Sequence, residues 1–220
     1  MLIAQSFISS QFNLASMSIK STLISLSSVL ILSINCMAQN NWETMLIQYR
    51  DSIDAEFSDP ERSILPQSEL EKFAGIDYFN PDESWNIEVK IKKIKKPEMF
   101  SMATSTDRAP EYKAFAKIFF KRDGKKHVLT LYQSIDLMKR EEYKDYLFLP
   151  FTDLTSGEEA YGGGRYLELS ISDLEDNRID FNYAFNPYCA YNHKYSCPIP
   201  PLENHLEIKV NAGAKAYTEN

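Results

Sequence analysis

From Trp85 onward the hydrophobic period of the chain changes from that of a helix to two, and that change decides the fold class. Ile87, Val89 and Ile91 alternate with Glu88, Lys90 and Lys92, the pattern of a strand with one buried face. Met99 to Thr104 is a weaker strand, Lys113 to Phe120 a strong one with Phe115, Phe119 and Phe120 as bulk, and His127 to Gln133 its return. Asp123-Gly124 between them is a two-residue hairpin turn, because both residue types tolerate positive φ. Further strands are expected at Tyr146 to Phe151, Tyr166 to Ile171, Ile179 to Phe185 and Leu206 to Val210, with Asp176-Asn177 as a second hairpin. About eight short strands with no helical pattern between them exclude a parallel sheet. They predict a mainly β protein, an antiparallel barrel or sandwich.

Ahead of the strands lies an N-terminal helical segment. Trp42, Met45, Leu46, Tyr49, Ile53 and Phe57 recur at helical spacing, Asn41 can cap the start, and Asp59-Pro60 ends it. A shorter helix is predicted from Pro66 to Phe73, with Gly75 after its last turn. Both helices read as a clasp over one end of a sheet.

Earlier still, Ser18 to Ala38 has the make-up of a secretory signal: Lys20, an apolar run from Leu23 to Ile34, and a small-residue exit. The apolar run is too short to span a bilayer, which takes roughly 20 residues. Met17 is the expected start. Cleavage after Ala38 is favoured over lipidation at Cys36, because Ser33 and Asn35 are poor neighbours for a lipid-modified cysteine. The expected division is residues 1–38 as extension and signal and 39–220 as one β-rich domain, exported to a periplasmic or secreted location, or lipid-anchored if Cys36 is modified. An exported chain meets an oxidising compartment, where cysteines can pair. With 24 basic against 31 acidic residues, the net charge of −7 disfavours nucleic acid, which needs clustered Lys and Arg. The basic run Lys90 to Lys96 alternates with apolar residues and reads as the wet face of a strand.

Residues with special chemistry concentrate between Pro150 and His205. Gly162, Gly163 and Gly164 allow close backbone approach, and Arg165 offers a planar fork for a carboxylate or phosphate. The run lacks the Gly-Lys-Ser/Thr ending of a nucleotide loop and leads into a strand. It reads equally as a bulged turn with Arg165 paired to Asp153, Glu158 or Glu159. Those carboxylates, if their environments differ, could divide acid and base roles. Cys189 and Cys197 stand among Tyr188, Tyr191 and Tyr195. They could be a disulfide or buried thiols, could ligate a metal with His193 or His205, or could include a nucleophile at Cys189. Asn182, Asn186 and Asn204 suit the satisfaction of buried backbone groups. No triad assembles from Ser156, Ser196 and the three histidines.

The stretches LFLPFTDLTSGEEAYGGGRYLEL and FNYAFNPYCAYNHKYSCPIPPLENHLEI, with GIDYFNPDESW upstream, closely resemble the domain-of-unknown-function family 1684. The resemblance covers residues 42–213 and implies no established activity or cofactor. The expectation is a pocket for a small polar or anionic ligand where the glycine loop meets the Tyr/Cys loop. Its expected contacts are Tyr161, Gly162, Gly163, Gly164, Arg165, Asn186 and Tyr188, with no metal. The rivals are a hydrolase or thiol-dependent enzyme using Asp153, Glu158 or Cys189, and a purely structural loop cluster.

Overall fold

The computed structural model of the chain describes residues 41–218. The expected signal, with Met17, Cys36 and the Ala38–Gln39 bond, lies outside them. The chain divides into two units at Ile47 and Gln48, and of the first only the helical residues 41–47 are described. The helix they belong to, α1, covers residues 41–58, so Asn41 is already helical rather than a cap. It stops just before Asp59-Pro60. The second helix, α2, is a single turn at Gln67–Leu70 with Pro66 at its N-cap. No helix among the described residues is long and apolar enough to cross a membrane.

The rest is mainly β. In order, the strands are β1 (Asn86–Glu88), β2 (Lys90–Lys93), β3 (Met99–Ser101), β4 (Glu111–Arg122), β5 (Lys125–Ser134), β6 (Tyr146–Asp153), β7 (Arg165–Ser170), β8 (Arg178–Asp180) and β9 (His205–Leu206). One sheet runs β2-β4-β5-β6-β7, with β3 also on β4 and β9 on β6; the other is the two-stranded ribbon β1-β8. The large sheet does not close on itself, so the barrel expectation gives way to an open, sandwich-like arrangement. β2 and β3 lie end to end along the same edge of β4, pairing with Lys117 and with Tyr112 respectively. The turn at Asp123 (φ 51) and Gly124 (φ 73) joins β4 to β5 as the sequence predicts. Asp176-Asn177 does not make a hairpin, because β8 leaves the sheet of β7 and pairs with β1 through Ile87 and Ile179. The last strand is shorter than expected, and it runs parallel to β6.

A β-bulge gives the sheet two different faces. Along β4, Tyr112, Ala114, Ala116, Ile118 and Phe120 read as one unbroken alternation. The register slips between Ala114 and Ala116, leaving Phe115 as an extra residue. Ala114 therefore stands opposite Tyr132, while Ala116 stands opposite Leu131, whose side chain points the other way. One face, with Ala116, Ile118, Phe120, Leu129, Leu131, Leu147, Leu149, Phe151 and Leu167, packs under the ribbon residues Ile87 and Ile179 and the C-terminal Leu206 to Ala212. The opposite face is aromatic: Tyr112, Tyr132, Phe148 and Tyr166 with Met102.

Deleting Phe115 removes the bulge and forces one half of β4 to present the wrong face. The expected loss of unfolding free energy in urea is more than about 3 kcal/mol. Phe115→Ala keeps the bulge and costs less, about 1 kcal/mol, for lost packing of a partly buried ring. Equal losses for the two variants would mean that the bulge does not set the register.

Candidate functional site

The aromatic face is not sealed. It floors a pocket of about 300 Å³, within the range of sites for small organic ligands. β4, β6 and β7 supply Tyr112, Tyr146, Phe148, Tyr166 and Glu168 from below. The last turns of α1 and the segment after α2 contribute Tyr49, Ile53, Glu56, Phe57, Ile76 and Tyr78 as a wall. The opposite wall is the segment 183–198, including Asn186, Tyr188, Tyr191 and Cys197. The N-terminal segment thus flanks a pocket rather than clasping the end of a sheet. Arg50 anchors it, donating to Phe79 O (3.1 Å) and Asn182 O (3.4 Å) with its guanidinium over the Tyr78 ring.

The rings meet at steep angles. Tyr166 is edge-to-face with Phe148 (75°) and with Phe185 (87°), and Tyr49 is edge-to-face with Tyr183 (62°). They therefore form walls rather than a stack. Tyr166 donates its hydroxyl to Pro198 O, and Tyr146 donates to Glu168 (2.9 Å). Burial raises the pKa of Tyr49 to about 12, with the Glu168 charge adding. Burial likewise pushes Tyr146 and Tyr166 well up, and for Tyr146 the Glu168 carboxylate contributes next.

Three of the residues singled out in the sequence are here: Asn186, Tyr188 and Cys197. Asn186 donates to Lys215 O (2.7 Å) and Tyr191 Oη (3.2 Å), while its buried Oδ1 has no partner among the described residues. Asn182 and Asn204 are fully buried and hold backbone groups, Asn204 bridging Thr130 and Pro150 between β5 and β6.

Arg165 is sealed inside the fold and does not line the pocket. It pairs with Phe151 across β6 and β7, on the face opposite to Tyr166. Its guanidinium is fully buried (0% exposed), held by Asp153 (2.9 Å), Val210 O (2.8 Å), Ala214 O (3.2 Å), Thr155 Oγ1 and Ala212 O. Asp153 is equally engaged: it accepts from Thr155 N and Oγ1 and from Val210 N (3.0 Å) as well. Glu158 and Glu159 are exposed and share Lys209. None of these three carboxylates lines the pocket. Gly164 (φ +88) is required where it stands, since a Cβ there would lie 2.6 Å from Phe151 O. Gly164 lets the chain enter β7 against Phe151 and Pro200, and Gly162, Gly163 and Gly164 do not line the pocket.

The two loops do meet, at sulfur. Tyr161 Oη lies 4.0 Å from Cys189 Sγ, and Cys189 N donates to Cys197 Sγ (3.2 Å). Both cysteines are buried free thiols, with no disulfide between them. The Cys197 thiol, followed by the Ser105 and Tyr161 hydroxyls, holds Cys189 below the ordinary thiol range against the opposing effect of burial. Cys197 is pushed up, first by the side-chain hydrogen bond with the Cys189 thiol and then by burial, while the Cys189 N–H works the other way. His193 is exposed, and His205 meets Thr152 on the surface (2.9 Å). Among the described residues no three His, Cys, Asp or Glu side chains are grouped to hold a metal.

Sequence reasoning missed the strand contributions, Tyr112, Tyr146, Phe148, Tyr166 and Glu168. Their signal was faint: on β6 the residues of both parities from Tyr146 to Phe151 are apolar or aromatic, which marks a strand covered on both faces.

Two outcomes follow. Arg165→Met leaves Asp153 buried without its partner and costs about 3–5 kcal/mol of stability by denaturant unfolding; a loss below about 1 kcal/mol would overturn the structural role. Tyr49, like the other tyrosines lining the pocket, has a raised folded pKa, so its contribution is complete below the ordinary value of 10.0 and is lost as pH rises through about 12. An ultraviolet titration should therefore show a late-ionising tyrosine set, and stability should fall over that interval; ionisation of every tyrosine near the ordinary value would contradict the buried pocket.

Comparison with known proteins agrees with the resemblance read from the motifs. The family model described as "Protein of unknown function (DUF1684)" matches residues 71–215. The solution NMR structure of an uncharacterised protein of Haloarcula marismortui is 37% identical, with a TM-score of 0.61, over 80% of this chain and 95% of that one. No curated protein matches. The chain is a member of the DUF1684 family.

Proposed function

We propose that this protein is a small-molecule binding module and that its site is the tyrosine-lined pocket on the aromatic face of the large sheet. One observation carries the reading: side chains from three strands, a helix and the Tyr/Cys loop converge on an open apolar space of about 300 Å³ that none of them fills. Aromatic surface left facing water costs free energy unless something covers it, and a well-packed domain fills such space with its own side chains. Tyrosines in place of aliphatics suit a ligand with an apolar body and polar tips. The expectation of an anionic ligand rested on Arg165, which serves the opposite face. The site proposed here keeps Asn186 and Tyr188 and omits the glycine loop.

A second reading, a thiol-dependent enzyme, is favoured by the lowered pKa of Cys189, whose partner Cys197 lines the pocket. One experiment separates the two. A native mass spectrum of the protein from its own cells is expected to show extra mass that leaves on denaturation. Tyr188→Ala, at a half-exposed wall position, should lose that mass, and Cys189→Ser should keep it. Extra mass that survives denaturation and disappears in Cys189→Ser would favour the thiol enzyme. A bare wild-type mass would count against a resident ligand.

A further inference from the structure

The charge around the pocket is one-sided. Among the described residues its lining holds eight tyrosines, Phe57, Phe148 and Phe185, and two carboxylates, Glu56 and Glu168, with no Lys, Arg or His. Glu168 is at the centre of this arrangement: it accepts from Tyr146, it stands beside Phe148 in the register, and its charge is felt by Tyr49, Tyr112 and Tyr188. Glu56 acts on Tyr188 from the opposite wall. Two cations act on these rings without lining the pocket, and Arg50 keeps a buried Nε with no partner among the described residues. Arg50 is bound to Phe79 O and Asn182 O, and Arg108 to the Ser196 hydroxyl (3.2 Å) and carbonyl (2.8 Å).

From this we infer that the ligand of the pocket carries a positive charge, an organic ammonium seated among the tyrosine and phenylalanine rings with Glu168 as its counter-charge. The inference rests on the pocket being a binding site. Aromatic faces are the negative part of the ring quadrupole, and rings at steep angles present faces and edges around a common space, the arrangement that holds methylated or primary ammonium groups. An anion would meet two like charges and no donor of positive charge, and like-charge juxtaposition is how such a site rejects the wrong ligand. The unpartnered Oδ1 of buried Asn186 fits the same polarity: this wall has an acceptor to spare, not a donor. Glu168 is exposed to solvent, so it can meet an incoming cation before the cation is desolvated by the rings.

The test compares choline with its uncharged isostere, in which carbon replaces the quaternary nitrogen, by titration calorimetry and by chemical-shift mapping on the intact protein. The expected result is choline binding at the pocket tyrosines at least tenfold tighter than the isostere. Glu168→Gln, which keeps an acceptor for Tyr146, should weaken choline about fivefold and leave the isostere unchanged. Equal binding of the two compounds at the pocket would overturn the cation and leave the binding module standing, as would preferential binding of benzoate there. No binding of choline, the isostere or benzoate would sink both the ammonium and the pocket. Choline binding that Glu168→Gln does not weaken would remove Glu168 as counter-charge and overturn the inference as stated.

Discussion

Arg165 and Tyr166 are neighbours in sequence and stand on opposite faces of β7, and most of the architecture hangs on that division. On its side Arg165 is sealed from water and ties together Asp153, Thr155 and the carbonyls of Val210, Ala212 and Ala214. Residues 210–214 form no strand, so their backbone groups need other partners, and the guanidinium supplies several of them. A buried ion pair is weak evidence for net stability, since desolvation offsets much of the attraction. What it does here is fix one geometry for the C-terminal segment, which then covers the aliphatic face beside the β1-β8 ribbon. Gly164 is the backbone counterpart, admitting Arg165 to its place with no Cβ against Phe151 O.

On the other side Tyr166 belongs to a face built of rings. The bulge at Phe115 is what brings Tyr112 there, by reversing the side to which the even-numbered residues of β4 point. Without it, Tyr112 would face the aliphatic core and the pocket would lose one of its walls. The two faces therefore divide the labour. One is dry, aliphatic and closed, and holds the fold together. The other is aromatic, acidic and open, and carries the proposed binding chemistry.

The fold class was legible because it depends on local pattern: the period-two runs and the Asp123-Gly124 turn survive in the structure, and only short 3-10 turns, no α-helix, lie between the described strands. The topology of the last third was not. Asp176-Asn177 looks like a hairpin to any local reading, yet Ile179 finds its partner in Ile87, and only the packing of the whole chain decides that. The same limit applies to the site. Special residues clustered at Gly162 to Arg165, and in the structure Gly164 and Arg165 are buried where β7 enters the core while Gly162 and Gly163 are exposed. Asn186 and Tyr188, expected as contacts from the Tyr/Cys loop, line the pocket. Tyr146 and Phe148 fell in an expected strand with no role assigned, and Tyr112 lay just outside one, because a strand residue facing a pocket and one facing a core have the same composition. Only the bulge and the incomplete cover over that face tell them apart.

The most direct measurement is a screen of small aromatic and ammonium-bearing fragments read by chemical-shift mapping on the intact protein. The account predicts that hits perturb Tyr146, Phe148, Tyr166, Glu168 and Tyr188 together and leave the glycine loop and Arg165 unmoved. Hits centred on Gly162 to Arg165, or perturbations scattered over the surface with none at the aromatic face, would contradict it.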